Sequence, residues 1–225
     1  MAYRTEVAER LLGERAPLAA RYADILATTG IERGLIGPRE SARIWERHLL
    51  PSAAIAGLIA PDLTVVDVGS GAGLPGVPLA IARPDLRVTL VEPMLRRCVF
   101  LEECVAGLTL SNVSVRRGRG EEFVGRIVGD VVTARAVARM PRLVALTVPL
   151  CRPGGTVLAV KGETVMSELA ELDVEQAGGQ WIVPRALGRQ GVEAIEVLTV
   201  GCGMIDPPTT VVRLSTRAVA GGRRR

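Results

Sequence analysis

Histidine and lysine each occur once in this 225-residue chain, as His48 and Lys161, and aromatic residues make up only 3% of it. One imidazole excludes a histidine-rich metal centre and leaves a Ser-His-Asp arrangement a single candidate ring. The four cysteines, Cys98, Cys104, Cys151 and Cys202, form no C-x-x-C pair, which argues against a zinc ribbon or a disulfide framework and leaves buried or incidental thiols. No bound metal is expected. With so few rings, extensive base stacking is not expected, and any nucleic acid would be recognised by shape and phosphates. Long apolar runs are missing too: the longest, Ala53–Ala60, is enclosed by Pro51 and Pro61 and falls far short of the ~20 residues a membrane span needs. Met1–Glu6 mixes charges with no basic segment leading into an apolar one. A soluble, cytoplasmic, monomeric chain with no membrane partner is therefore expected.

What is present is apolar residue in quantity. At 48% hydrophobic the chain can bury one substantial core, which predicts one main domain with an appendage. Lysine and arginine number 28 against 24 acidic residues, and the excess is matched by Arg217, Arg223, Arg224 and Arg225. The end Gly221-Gly-Arg-Arg-Arg225 reads either as a flexible arm able to approach phosphates or as a plain solvated terminus. With Lys161 as the only lysine, the arginine richness itself reads as compositional bias.

Residues 1–60 predict a helical extension: Glu6–Leu12 and Pro17–Leu26 have helical spacing, Gly30–Pro38 is turn-rich, and Arg39–Ile59 resumes a helix with a break at Pro51. From Thr64 short β-branched runs alternate with amphipathic segments. Strands are predicted at Thr64–Val68, Arg87–Val91, Val113–Arg116, Asp130–Thr133 and Thr156–Val160, with helices at Pro75–Ala82, Pro93–Ala106, Arg142–Leu150 and Thr164–Ala177. That alternation predicts a doubly wound α/β domain over 61–218 with a parallel sheet. Ile195–Val200 and Thr210–Leu214 leave no room for a crossover helix and predict an antiparallel finish, a feature of class I methyltransferases. Residues 219–225 form the basic tail.

The sharpest motif is Val65-Val-Asp67-Val-Gly69-Ser-Gly71-Ala-Gly73-Leu74-Pro75-Gly76, an apolar strand running into a glycine turn and then a helix. Such a turn lets the main chain approach a cofactor at the carboxyl end of a strand. Gly71–Gly76 also satisfies G-x-G-x-x-G, which keeps a nicotinamide cofactor in view. However, if the strand ends at Val68 the turn opens with Gly69, and Leu74 then stands where the third glycine belongs. Asp67 suits a cofactor with a sulfonium and an amino group better than a pyrophosphate it would repel, which favours S-adenosylmethionine. Glu92, at the end of the second strand, can accept hydrogen bonds from ribose hydroxyls in either cofactor. Gly120 and Glu121 follow the third strand where an adenine edge would lie, although Glu121-Glu122 also suits the start of a surface helix. Arg135 and Lys161-Gly162 end the fourth and fifth strands at the mouth of the site.

Taken together, Arg47-His48-Leu-Leu-Pro51-Ser52, the glycine block, Glu92 with Arg96-Arg97 and Phe100-Leu101, Arg119-Gly120-Glu121-Glu122, Arg135-Ala, Arg152-Pro-Gly-Gly and Lys161-Gly162 carry a resemblance over about residues 40–165. The chain resembles the RsmG, or GidB, family of ribosomal RNA small subunit methyltransferase G. The resemblance implies methyl transfer from S-adenosyl-L-methionine to N7 of a guanine in 16S rRNA of the small ribosomal subunit. It implies cofactor contacts at Gly69, Leu74, Gly120, Glu121 and Arg135, to which the motif itself adds Asp67, Gly71, Gly73 and Glu92. Relatives commonly carry Asp where this chain has Pro51, and an aromatic-Asn-Leu-Thr segment where it has Gly30–Pro38. Guanine N7 offers a free lone pair, so its alkylation needs no general base, only proximity and orientation. Arg135 and Lys161 are the expected catalytic pair, positioning the substrate, with Arg47 and His48 as further candidates. An NAD(P)-dependent oxidoreductase and a non-catalytic ribosome-assembly factor are the alternatives.

Overall fold

The computed structural model describes residues 2–177 and 180–218, so the basic tail at 219–225 lies outside the described residues. Its first part is helical, with α1 (Ala2–Leu12), α2 (Ala16–Ile25) and, after a looser passage, α3 (Leu50–Ala54). The five strands that follow are β1 (Thr64–Val68), β2 (Arg87–Glu92), β3 (Val113–Arg117), β4 (Gly129–Arg135) and β5 (Cys151–Lys161). Between them lie α4 (Gly76–Ala82), α5 (Leu95–Gly107) and α6 (Met140–Thr147), and α7 (Val165–Ala170) follows β5. Then come a separate small hairpin, β6 (Glu175–Ala177) and β7 (Gln180–Ile182), a short α8 (Arg185–Arg189), and the closing strands β8 (Val192–Val200) and β9 (Thr209–Thr216).

Seven strands form one sheet in the order β3-β2-β1-β4-β5-β9-β8, with β1 to β5 parallel and β9 antiparallel to both β5 and β8. Residues of alternating parity feed two separate cores, as a pleated strand requires. Val65, Leu90, Leu158 and Val211 pack with α4, α5 and the N-terminal helices, whereas Val66, Val91, Val157 and Val212 pack with α6, α7 and α8. Tyr22, Leu26, Leu49 and Ile55 are fully buried in the first of these cores, so the helical extension closes one face of the sheet.

Two local expectations are corrected. The break at Pro51 is absent: the chain remains helical from Pro38 to Leu58, through a π-helical turn at Trp45–Leu49 that places Pro51 second in α3. The helix expected over Thr164–Ala177 stops at Ala170, because Asp173 adopts φ +53 and the Val174 amide turns back to the Leu169 carbonyl. Glu175–Ala177 then becomes a strand.

Candidate active site

The glycine turn opens where β1 ends. Gly69, Gly71 and Gly73 have φ of +69, +58 and +97, a region that favours glycine. The Gly69 amide donates to the Val91 carbonyl at 2.8 Å, and the Gly71 amide donates to Glu92 Oε2 at 3.0 Å. Glu92 is buried, and its Oε1 accepts from the Met94 amide at 3.0 Å, so one carboxylate ties the turn to the start of α5. A Cβ on Gly69 would lie 2.8 Å from Val137 Cγ2, and one on Gly73 would lie 2.7 Å from the Tyr22 hydroxyl. Over the turn sits a cavity of about 180 Å³ bounded by Gly69, Val91, Gly120, Glu121, Val137 and Leu146. Its apolar walls and glycine floor, with Glu121, Arg119 and Arg142 at the polar edge, suit a flat heteroaromatic ring with polar edges, so the residues present fit an adenosyl group.

Asp67 faces the other way. It is fully buried; its Oδ2 accepts from the Gly76 amide at 3.2 Å and its Oδ1 from the Thr133 hydroxyl at 3.0 Å. Burial pushes its carboxyl up to about 6 against the pull of hydrogen bonds from Ser70, Thr133 and Gly76. The structure thus gives Asp67 a turn-building position, its two carboxylate oxygens bonded to the Gly76 amide and the Thr133 hydroxyl. Leu74 is half-buried, its amide donating to the Ser70 carbonyl at 3.0 Å, and it packs against the core of the helical extension.

A larger cavity, about 850 Å³, opens beyond the ends of β4 and β5, and Val137 lines both spaces. Arg43, Arg47, Arg135, Arg139 and Lys161 reach it, against Glu46, Glu163 and Glu168. Arg135 is held by the extension. Its Nη2 donates to the Arg47 carbonyl at 2.5 Å and lies 2.9 Å from His48 Nδ1, while Nη1 donates to the His48 carbonyl and to Ser52 Oγ, both at 3.3 Å. Pro51 explains why: it has no amide hydrogen for the carbonyl four residues back, and the Arg135 guanidinium satisfies that Arg47 carbonyl instead. Burial, then the nearby Arg47 charge, lowers the Arg135 pKa. Burial and Arg135 bring His48 down to about 4, with Glu40 opposing. His48 is therefore neutral near pH 7. Its Nδ1 is the acceptor for Arg135, and Nε2 lies 3.2 Å from Glu40 Oε2 but out of line for a hydrogen bond.

Lys161 is almost as enclosed. Its Nζ donates to Glu168 Oε2 at 2.6 Å and to the Ala138 carbonyl at 2.9 Å, which fixes the loop after β4. Glu168 also accepts from the Met140 amide and the Thr164 hydroxyl. Burial raises its pKa, but hydrogen bonds from Lys161 and Thr164 and the Lys161 charge bring it below the usual range. The residues singled out from sequence therefore divide into three groups. Gly69, Gly120 and Glu121 wall the small cavity; Asp67, Gly71, Gly73, Leu74 and Glu92 build the turn beneath it; Arg135 and Lys161 edge the large one. Sequence reasoning missed Tyr22, whose hydroxyl donates to the Ala72 carbonyl at 2.5 Å, and it missed Glu168 and Val137. For Glu168 a signal existed in its spacing from Lys161, one buried cation needing one acid nearby; the partners of Tyr22 and Val137 are too distant in sequence to leave one.

A parallel sheet of this strand order, closed by an antiparallel strand, with a glycine turn and its cavity at the carboxyl end of β1, is the fold of class I S-adenosylmethionine-dependent methyltransferases. Solved structures share it: the chain is similar to M. jannaschii TYW2 in complex with AdoMet (16% identity, TM-score 0.53, 75% of this chain and 74% of that one) and to the pyocyanin biosynthetic protein PhzM (17%, TM-score 0.55, 81% and 60%). A family model described as rRNA small subunit methyltransferase G matches residues 15–184, well beyond the stretch that carried the resemblance. Proteins named ribosomal RNA small subunit methyltransferase G are 52% identical over 94% of this chain and 84% of the relative in Thermobifida fusca, and 48% identical over 97% and 88% in Streptomyces avermitilis. The chain belongs to the rRNA small subunit methyltransferase G family. That membership decides against the nicotinamide alternative raised by Gly71–Gly76.

Proposed function

We propose that this chain transfers a methyl group from S-adenosylmethionine to N7 of a guanine in 16S rRNA. The observation that carries the reading is the meeting of a small cavity over the glycine turn with a larger basic one at Val137. Gly69, Gly120 and Glu121 would hold the adenosine part, with Glu92, buried behind the turn, offering the ribose what acceptor capacity remains beside the Gly71 and Met94 amides and the Arg97 guanidinium 3.7 Å away. The resemblance read from the sequence would add Leu74 and Arg135 to this set. When bound, S-adenosylmethionine supplies an electrophilic methyl on a sulfonium.

The residues of the chain have a positioning task. Guanine N7 attacks with its own lone pair, so no side chain has to remove a proton. This agrees with a cleft whose one imidazole is neutral and already accepting from Arg135. Arg43 is exposed at the large cavity, where its charge favours phosphates, whereas Arg139 is already paired with Glu171. Arg135 shapes the wall next to the extension, and Lys161 acts through the Ala138 carbonyl to set the loop that carries Val137.

Calorimetric titration tests the cofactor half: S-adenosylhomocysteine should bind the parent chain and lose at least tenfold in affinity in Gly69→Val, since a side chain there meets Val137. Binding of NADPH without a response to S-adenosylhomocysteine would overturn it. For the RNA half, labelled methyl should enter small-subunit RNA; label confined to protein or small molecules would be the contrary result.

A further inference from the structure

Away from the cleft, a second group of arginines converges at the opposite end of the sheet. β9 pairs with β5 so that Thr210 lies beside Lys161 at the cleft end and Ser215 beside Thr156 towards the far end. Arg217 follows β9 directly, which puts it about 20 Å from the level of Lys161 at the rise of a strand. Val192 opens β8 opposite Thr216, and α8 leads into it. Arg185, Arg189 and Arg217 line one groove of about 520 Å³ together with Pro184, Val192 and one acid, Glu193.

Three features separate this groove from ordinary surface. All three arginines are exposed, and among the described residues no ion pair or hydrogen bond engages their guanidinium groups. Elsewhere among the described residues several arginines are paired, Arg83 with Asp85, Arg152 with Asp130 and Arg213 with Glu196, and others such as Arg117 and Arg126 stand unpaired on open surface, so what marks this place is three unpaired guanidinium groups lining a single groove. Arg185 and Arg189 are also four apart in α8, a spacing at which like charges share a face and weaken the helix, so the arrangement works against local stability. Chain connectivity adds the same sign again, because Arg223, Arg224 and Arg225 follow Arg217 within a few residues.

We infer that the groove of Arg185, Arg189 and Arg217 is a second contact for the phosphate backbone of the RNA substrate, remote from the methyl-transfer cleft. The inference rests on the rRNA reading and deepens it. Guanidinium groups present a planar fork that matches phosphate oxygens, and three of them from two separate elements can follow a backbone that a single cation would only touch. The contact adds affinity and orientation without reading sequence, leaving base choice to the cleft.

The test uses the full chain with Arg185→Ser, Arg189→Ser and Arg217→Ser combined, beside a triple lysine variant that keeps the charge. Binding to small-subunit RNA is measured across a series of salt concentrations, and KM and kcat are measured with the same RNA. The serine variant should lose about two from the slope of log affinity against log salt, and its KM for RNA should rise about tenfold, with kcat and S-adenosylhomocysteine affinity unchanged. The lysine variant should keep most of the slope. An unchanged slope and KM in the serine variant, in a parent that methylates RNA, would overturn the contact alone. So would a loss of binding to intact particles with none to free RNA, which would assign the groove to a ribosomal protein. A parent that neither binds nor methylates RNA would overturn the rRNA reading, and this contact with it.

Discussion

Lys161 and His48 show how far a side chain's role depends on what encloses it. As sequence, Lys161 is a lone cation at a strand end; in the structure it is 7% exposed against a Glu168 that is 9% exposed. Lys161→Ala leaves that carboxylate buried without its partner, and such losses run to about 3–5 kcal/mol, so the variant should show a large drop in denaturant midpoint, with Lys161→Arg milder. An undiminished midpoint would mean that the pair is open to water. His48, as the only histidine, allows a test free of assignment. Its ring resonance in an NMR titration should shift with a midpoint near 4, because burial and Arg135 depress the pKa from 6.5. A depressed folded-state value means that this group's contribution is complete above pH 6.5 and is lost as pH falls toward 4, at up to about 3 kcal/mol. A midpoint near 6.5 would show a solvated ring and no clamp from Arg135.

At the scale of elements, legibility followed locality. β1 and its turn were readable because Val65, Val66 and Val68 precede a glycine at Gly69 that only a left-handed turn explains, all within adjacent residues. Arg135 was readable as a strand-end residue but not as a brace, since the carbonyls it serves lie 87 and 88 residues away. Pro51 was misread for a related reason. Taken alone it signals a break, yet the π-helical turn before it and the guanidinium that takes the freed carbonyl let the helix continue. Thr164–Ala177 failed because a helical pattern carries no mark of Asp173 turning left-handed. Arg135→Ala should therefore loosen the 45–52 segment before it touches the sheet. Hydrogen exchange should accelerate there, with a stability loss of about 3 kcal/mol from charged hydrogen bonds removed. Unchanged exchange in that segment would refute the bracing role.

Across the whole molecule, the helical extension and the sheet share a core, with Tyr22 and Leu49 packed in the same cluster as Leu79, Leu90 and Leu101. A chain lacking residues 1–60 is accordingly expected to be insoluble or unfolded when expressed, and a soluble, cofactor-binding product would show the extension to be dispensable. Its attachment also serves the site: Tyr22 reaches the glycine turn and the Trp45–Leu49 turn grips Arg135, so the floor of one cavity and the wall of the other both depend on it. Among the described residues no helix is long and apolar enough to cross a membrane. In the proposed reading, the two cavities meeting at Val137 would bring a methyl donor at the glycine turn to a nucleophile presented from the basic side. The most direct test supplies labelled S-adenosylmethionine and this chain to small ribosomal subunits lacking the modification, then digests the RNA and identifies the labelled nucleoside and its position by mass spectrometry. The account predicts N7-methylguanosine at one position of 16S rRNA; label on another atom or base, or none in particles and free RNA from a chain that binds S-adenosylhomocysteine, would contradict it.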